Sequence, residues 1–176
     1  MLYFEIATRF YPEQVKRIRN IATDRGTVYT DHISEGDDTN LGICRLADRD
    51  ANIDAQVRSL FNADPTEVTL MRIKAGHEVV PHVDGEQYGR MTSVVFPLTP
   101  AGTKKYAPCT MYMEAGTFDL PWVPCYAFNT QIKHGVKNNE YDRYNLQLWF
   151  NMPIVEFFEL YQSGQLISPE NRVPLA

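Results

Sequence analysis

Asp142-Arg143-Tyr144-Asn145-Leu146-Gln147-Leu148-Trp149-Phe150 alternates without a break. A strand sends successive side chains to opposite faces. Tyr144, Leu146, Leu148 and Phe150 therefore share one face, and Arg143, Asn145, Gln147 and Trp149 share the other. The apolar face needs a cover. The polar face points into an interior, where a guanidinium is costly without an anion. Three helical stretches supply the cover. After Pro12, which suits a first helical turn, Val15, Ile18, Ile21 and Ala22 recur on one face. Asp50 reads as the N-cap of a second stripe, Ile53, Val57, Leu60 and Phe61, which ends before Pro65. Val155, Phe158, Leu160 and Tyr161 suggest a third helix, stopped at Gly164.

The remaining short apolar runs, bounded by Gly, Pro, Asn or Asp, predict strands over Leu2–Ala7, Thr27–Ile33, Glu67–Ile73, Met91–Leu98, Cys109–Glu114, Val123–Phe128 and Tyr144–Phe150. Parallel strands would need helices between the later runs, and the pattern offers none there. The expectation is a mainly β (α+β) chain whose body is a double-sheet roll. It reads as one domain over residues 1–176, with helical support to about residue 66, the roll over about 67–150, and a C-terminal helix and tail over 151–176.

With 176 residues, 44% of them hydrophobic and 22% charged, the chain has the composition of a single globular domain. No apolar run reaches the ~20 residues of a membrane helix. The start, Met1-Leu2-Tyr3-Phe4-Glu5, lacks the basic n-region of a signal peptide. A net charge of -5 argues against nucleic acid and anionic membranes as partners. Cys44, Cys109 and Cys125 are widely spaced and read as free thiols, which places the protein in a reducing compartment, the cytoplasm. Nothing in the sequence specifies an oligomeric state.

The chemistry concentrates in Pro81-His82-Val83-Asp84-Gly85. On an extended segment His82 and Asp84 leave the same face, and an imidazole with a carboxylate can hold a divalent metal. The third ligand is expected to be His134, 50 residues past Asp84, brought back by the roll. Two His and one carboxylate leave positions open on the far side of the metal. That suits non-haem Fe(II) binding a co-substrate and O₂ better than structural zinc. Arg143, nine residues past His134, can fork onto the far end of a dicarboxylic acid that chelates the metal. Arg90, eight past His82, is either a second anion contact or a surface ion pair with Glu86.

His82-Val83-Asp84, His134 and Arg143, in that order on a strand-rich chain, resemble the 2-oxoglutarate/Fe(II)-dependent oxygenases over about Leu70 to Phe150. The resemblance implies a double-stranded β-helix (jelly-roll) core. It implies Fe(II) held by His82, Asp84 and His134, 2-oxoglutarate chelated on it, and O₂ used to hydroxylate a substrate with release of succinate and CO₂. The paired arginines look most like the aspartyl/asparaginyl β-hydroxylase branch, where both bear on the oxoglutarate carboxylates. Prolyl-hydroxylase-like members often carry a tyrosine just ahead of the glycine that precedes the HxD; Met71-Arg72-Ile73-Lys74-Ala75-Gly76 has none. For the neutral donor beside oxoglutarate, the face shared with Arg143 suggests Asn145, ahead of Ser93 and Thr69. The primary substrate implied is a peptide side chain, a free amino acid or a small metabolite.

Other candidates have plainer readings. His77 reads as a solvated loop residue and His32 as a surface residue. Trp122 and Trp149 read as packing residues, Tyr88 and Tyr106 as sheet packing or cleft lining, and Cys109 and Cys125 as small buried hydrophobes. Glu35–Leu41 and Thr99–Pro108 are candidate lids. Two other readings stay open: a cupin-like metal enzyme that does not use 2-oxoglutarate, and a non-catalytic jelly-roll binding or structural module.

Overall fold

Capping and periodicity set the first elements of the chain. The computed structural model describes residues 1–8, 12–32, 41–98, 110–119, 123–138 and 140–172. In chain order the elements are β1 (Tyr3–Glu5), α1 (Pro12–Thr23), β2 (Thr30–His32), β3 (Leu41–Arg45), α2 (Ala51–Arg58), β4 (Glu67–Ile73), β5 (Glu78–His82), β6 (Thr92–Pro97), β7 (Thr110–Met113), β8 (Gly116–Asp119), β9 (Tyr126–Asn129), β10 (His134–Lys137), β11 (Arg143–Phe150) and α3 (Ile154–Gln162). Asp50 caps α2 as expected, its carboxylate accepting from the Ile53 N–H at 3.0 Å. Gly164, in the left-handed region at φ 71°, follows the Ser163 C-cap and ends α3.

Among the described residues the strands form two antiparallel sheets. One has seven strands in the order β1-β9-β6-β11-β4-β3-β2, the other four in the order β5-β10-β7-β8. The alternating stretch is the larger sheet's central strand, paired with β4 on one side and β6 on the other. Its Leu146, Leu148 and Phe150 are buried with Ile18 of α1, Ile53 and Val57 of α2, and Phe157 of α3. The helices thus cover one face. The small sheet covers the other, where two apolar clusters lie apart. Val95, Met111, Met113, Tyr126 and Phe128 form one; Leu41, Met71, Ile73 and Trp149 form the other.

Patterning missed four strands. β3 and β8 are short and carry a glycine each; β5 carries Pro81, and β10 is split by Gly135. The α2 stripe also ends early. Leu60 and Phe61 lie past the helix yet are buried, because backbone bonds from Asn62 to Leu166 and from Ser168 to Leu60 dock that segment on the C-terminal stretch. On α3 the buried face is Ile154 and Phe157, while Val155 is 52% exposed. Phe157 sets that rotation, since its ring lies 4.8 Å from Phe150 and 6.5 Å from Phe61. No described helix is long and apolar enough to cross a membrane.

The two faces of α3 give a direct test. Phe157→Ala is expected to lower unfolding free energy by about 3–5 kcal/mol, whereas Val155→Ala should change it by no more than about 0.5 kcal/mol. Urea denaturation of both variants measures the difference.

Candidate metal centre and anion pocket

The site is built on one cross-strand pair. His82 ends β5, and His134 opens β10 directly opposite it. Between His134 and Val136 the ladder shifts, with Val136 opposite Val79, so β5 carries an extra residue there. Pro81, with no N–H to give, sits in that bulge, and Gly135 faces it. A Cβ on Gly135 would lie 2.6 Å from the Val79 carbonyl oxygen and 2.9 Å from the Pro81 nitrogen. Only glycine lets the two backbones meet this closely, and the result is two imidazoles with ring centroids 4.6 Å apart.

Asp84 lies two residues beyond β5, held by its own N–H on the Thr130 carbonyl at 3.0 Å. Its Oδ1 is 3.3 Å from His82 Nε2, and its Oδ2 accepts from Trp149 Nε1 at 3.1 Å. One ligand atom from each of His82, Asp84 and His134 can be chosen so that all three lie within 4.8 Å of one another. Two ligands at about 2.1 Å from one ion and at a right angle would be about 3.0 Å apart. Both Nδ1 atoms are engaged by backbone carbonyls, His82 by Val80 at 2.8 Å and His134 by Ile132 at 2.9 Å. In a neutral ring that puts the proton on Nδ1 and leaves Nε2 as the lone-pair donor. The donor set fits a divalent metal.

Electrostatics agree with the geometry. The hydrogen bond to Asp84 raises the His82 imidazole above its ordinary value, against the opposing effect of burial. Burial alone would raise the Asp84 carboxyl, but the His82 hydrogen bond, the two imidazole charges and the Trp149 N–H outweigh it and hold the group down. Burial lowers His134.

A cavity of about 80 Å³ joins the three residues to Arg143, Asn145, Gln147 and Tyr126. Arg143 is buried, its Nε donating to Asn145 Oδ1 and its Nη2 to the Tyr126 hydroxyl, each at 3.2 Å. Burial pulls its pKa down to about 10, so it remains a cation at neutral pH. Burial pushes the Tyr126 phenol up, so it remains protonated. Gln147 is 7% exposed and lines the cavity, and its amide has no hydrogen-bond partner among the described residues.

The structure thus brings His82, Asp84, His134, Arg143 and Asn145 around one cavity. Arg90 lines it too, but at the other end of β11. Its Nη2 pairs with Glu67 at 2.6 Å, not with Glu86, and its guanidinium lies 4.7 Å from the Trp149 ring centroid. Trp149 is six residues from Arg143, about 20 Å along a strand, so the two arginines do not act on one group side by side. Ser93 and Thr69 sit opposite Trp149 and Gln147 in the ladders, fully buried. His77 is exposed, as expected. The side chain of His32, Trp122, Tyr106, Cys109 and the segments 33–40 and 99–109 lie outside the described residues. Sequence reasoning missed Tyr126 and the polar role of Trp149; the only signal was the place of Trp149 on the polar face of its strand.

No family model matches the sequence, and no curated protein matches it. Solved structures do. A prolyl-4-hydroxylase from Pseudomonas putida is similar with a TM-score of 0.62 at 18% identity, covering 85% of this chain and 91% of that one. A prolyl hydroxylase from Trichoplax adhaerens, solved with a hypoxia-inducible-factor peptide fragment, has a TM-score of 0.57 at 14% identity, covering 84% and 82%. EctD from S. alaskensis, solved with 2-oxoglutarate and 5-hydroxyectoine, has a TM-score of 0.54 at 14% identity, covering 83% and 70%. These likenesses do not single out the aspartyl/asparaginyl branch. At these identities they show the fold, and with the two facing antiparallel sheets they identify a double-stranded β-helix core.

Two outcomes follow from the geometry. Gly135→Ala should push β10 off β5 and weaken Mn²⁺ binding about tenfold or more, at a cost of about 1–3 kcal/mol in stability; isothermal titration and a thermal melt read both. A metal competes with the proton that Asp84 stabilises on His82. Affinity should therefore rise with pH through a midpoint above the ordinary imidazole value of 6.5 and then level off, which Mn²⁺ titrations across pH would show.

Proposed function

We propose that the protein is an Fe(II)- and 2-oxoglutarate-dependent dioxygenase that hydroxylates a substrate and releases succinate and CO₂. The observation that carries this reading is one cavity lined by a His-Asp-His donor set at one place and a buried guanidinium at another. The double-stranded β-helix core supports it.

In this reading His82, Asp84 and His134 hold the metal, the imidazoles through Nε2 and the carboxylate through Oδ1. Bound Fe(II) supplies the oxidative chemistry, with O₂ and 2-oxoglutarate as co-substrates. Arg143 binds the far carboxylate of 2-oxoglutarate. Asn145 accepts from Nε and so orients the guanidinium fork. Tyr126 accepts from Arg143, and its own hydroxyl hydrogen is available to the same carboxylate. The apolar clusters on either side exclude water, which strengthens each of these charge-assisted contacts. The primary substrate is a peptide side chain, a free amino acid or a small metabolite. The free buried thiols Cys44 and Cys125 and a ferrous cofactor both fit the cytoplasm.

Thermal shift tests the reading. With Mn²⁺ present under anaerobic conditions, 2-oxoglutarate at about 100 times its Kd should stabilise the protein by about 2.7 kcal/mol. Arg143→Gln should weaken that binding about 10- to 100-fold, as loss of a charge-assisted hydrogen bond does, and leave Mn²⁺ binding intact. Metal-loaded protein that gains nothing from 2-oxoglutarate would favour the cupin-like alternative.

A further inference from the structure

The two oxygens of Asp84 have different partners. Oδ1 faces His82 Nε2, while Oδ2 accepts the indole N–H of Trp149 at 3.1 Å. Trp149 is 3% exposed and stands on the cavity face of β11. Its ring is covered by the Arg90 guanidinium at 4.7 Å. Arg90 is in turn held by Glu67, the residue directly opposite Trp149 in the β4–β11 ladder. Glu67 meets two cations, Arg90 through Oε2 at 2.6 Å and Arg45 through Oε1 at 3.7 Å, and the Arg90 guanidinium makes a cation–π contact with the indole.

Resting on the metal reading of His82, Asp84 and His134, we propose that Trp149 is a positioning residue that restricts Asp84 to one ligating oxygen, and that Arg90 with Glu67 locks the indole instead of binding 2-oxoglutarate. A free carboxylate can offer an ion one oxygen or both. The indole N–H occupies Oδ2 and turns Oδ1 toward the imidazoles. Three protein donors then take three of six octahedral positions, which leaves two for a chelating co-substrate and one for O₂. A carboxylate that swung to bind through both oxygens would take one of those. Hydrogen bonds to ligating groups carry about 10- to 100-fold in metal affinity or activity, so the indole is placed where that effect is large.

The test is metal binding by Trp149→Phe, which keeps the ring and removes the donor. Mn²⁺ affinity is expected to fall about tenfold, and the visible band of the Co²⁺-loaded protein is expected to change as the carboxylate reorients; a packing role alone would leave that band unmoved. Arg90→Met should weaken Mn²⁺ binding by a smaller factor, about threefold, and leave the 2-oxoglutarate Kd of the metal-loaded protein within about twofold, since no co-substrate contact is lost. If Trp149→Phe does not fold, Arg90→Met and Glu67→Gln, both with the indole intact, carry the measurement. Wild type that binds Mn²⁺ beside a Trp149→Phe protein with the same affinity and the same Co²⁺ band overturns the proposal. So does an Arg90→Met protein that loses 2-oxoglutarate and keeps the metal. Wild type that binds no Mn²⁺ removes the metal reading itself, a result distinct from either.

Discussion

Between β5 and β10 two backbones come closer than any side chain permits. Gly135 lies against the Val79 carbonyl and Pro81, and this contact fixes which residues face each other across the small sheet. The extra residue on β5 is absorbed there, so that His82 and His134 end opposite one another. A bulge re-aims side chains locally at the cost of ladder bonds. Pro81 has no N–H to lose, which makes it a suitable residue for the irregular position. Asp84 follows on a stretch tied to Thr130, so its carboxylate inherits its place beside the two imidazoles from the same pair of strands.

The inner face of the roll would be a continuous apolar core if β11 alternated differently. Instead Arg143, Asn145 and Gln147 run between its two hydrophobic clusters. Buried polar groups of this kind are tolerated only when each is oriented by a partner or reserved for a ligand. At one end, neutral oxygens of Asn145 and Tyr126 accept from the Arg143 guanidinium. At the other end, Glu67 meets Arg90 directly. Two arginines that look equivalent along the sequence therefore differ in what surrounds them.

The helices, the central strand and the polar set were legible because each rests on local rules. Asp50 and Gly164 follow capping chemistry, and β11 follows a period of two. His82-Val83-Asp84 announces a shared face, and His134 and Arg143 stand out as a rare imidazole and a cation on an inward face. What escaped depends on tertiary contact. β3 and β10 are short and interrupted by glycine, so their pairing partners hold them extended, not their own pattern. The face of α3 was set by the ring contacts of Phe157, which periodicity cannot rank against Val155. Tyr126 was hidden because an aromatic in a strand is ordinary sheet packing until its hydroxyl meets a guanidinium. For Arg90 the sequence offers an anion contact on the co-substrate or an ion pair with Glu86; Glu67, 23 residues away in the chain, is the carboxylate it meets, because β4 lies beside β11.

The helix-covered side of the sheet, although remote from the chemistry, specifies the site. A one-residue slip of β11 would exchange its faces. Arg143, Asn145 and Gln147 would then enter the core beneath the helices, and Leu146 and Leu148 would enter the cavity. Arg143 would lose the Tyr126 hydroxyl, and each leucine would lose its packing against the helices. Burying one such side chain is worth about 1.5–3 kcal/mol, so the registered and slipped arrangements differ by several such amounts. Register in turn places Trp149 beside Asp84 and Arg143 at the opposite end of the same strand. The spacing between the indole that meets Asp84 and the Arg143 guanidinium is therefore set by strand rise, and the apolar face keeps that spacing fixed.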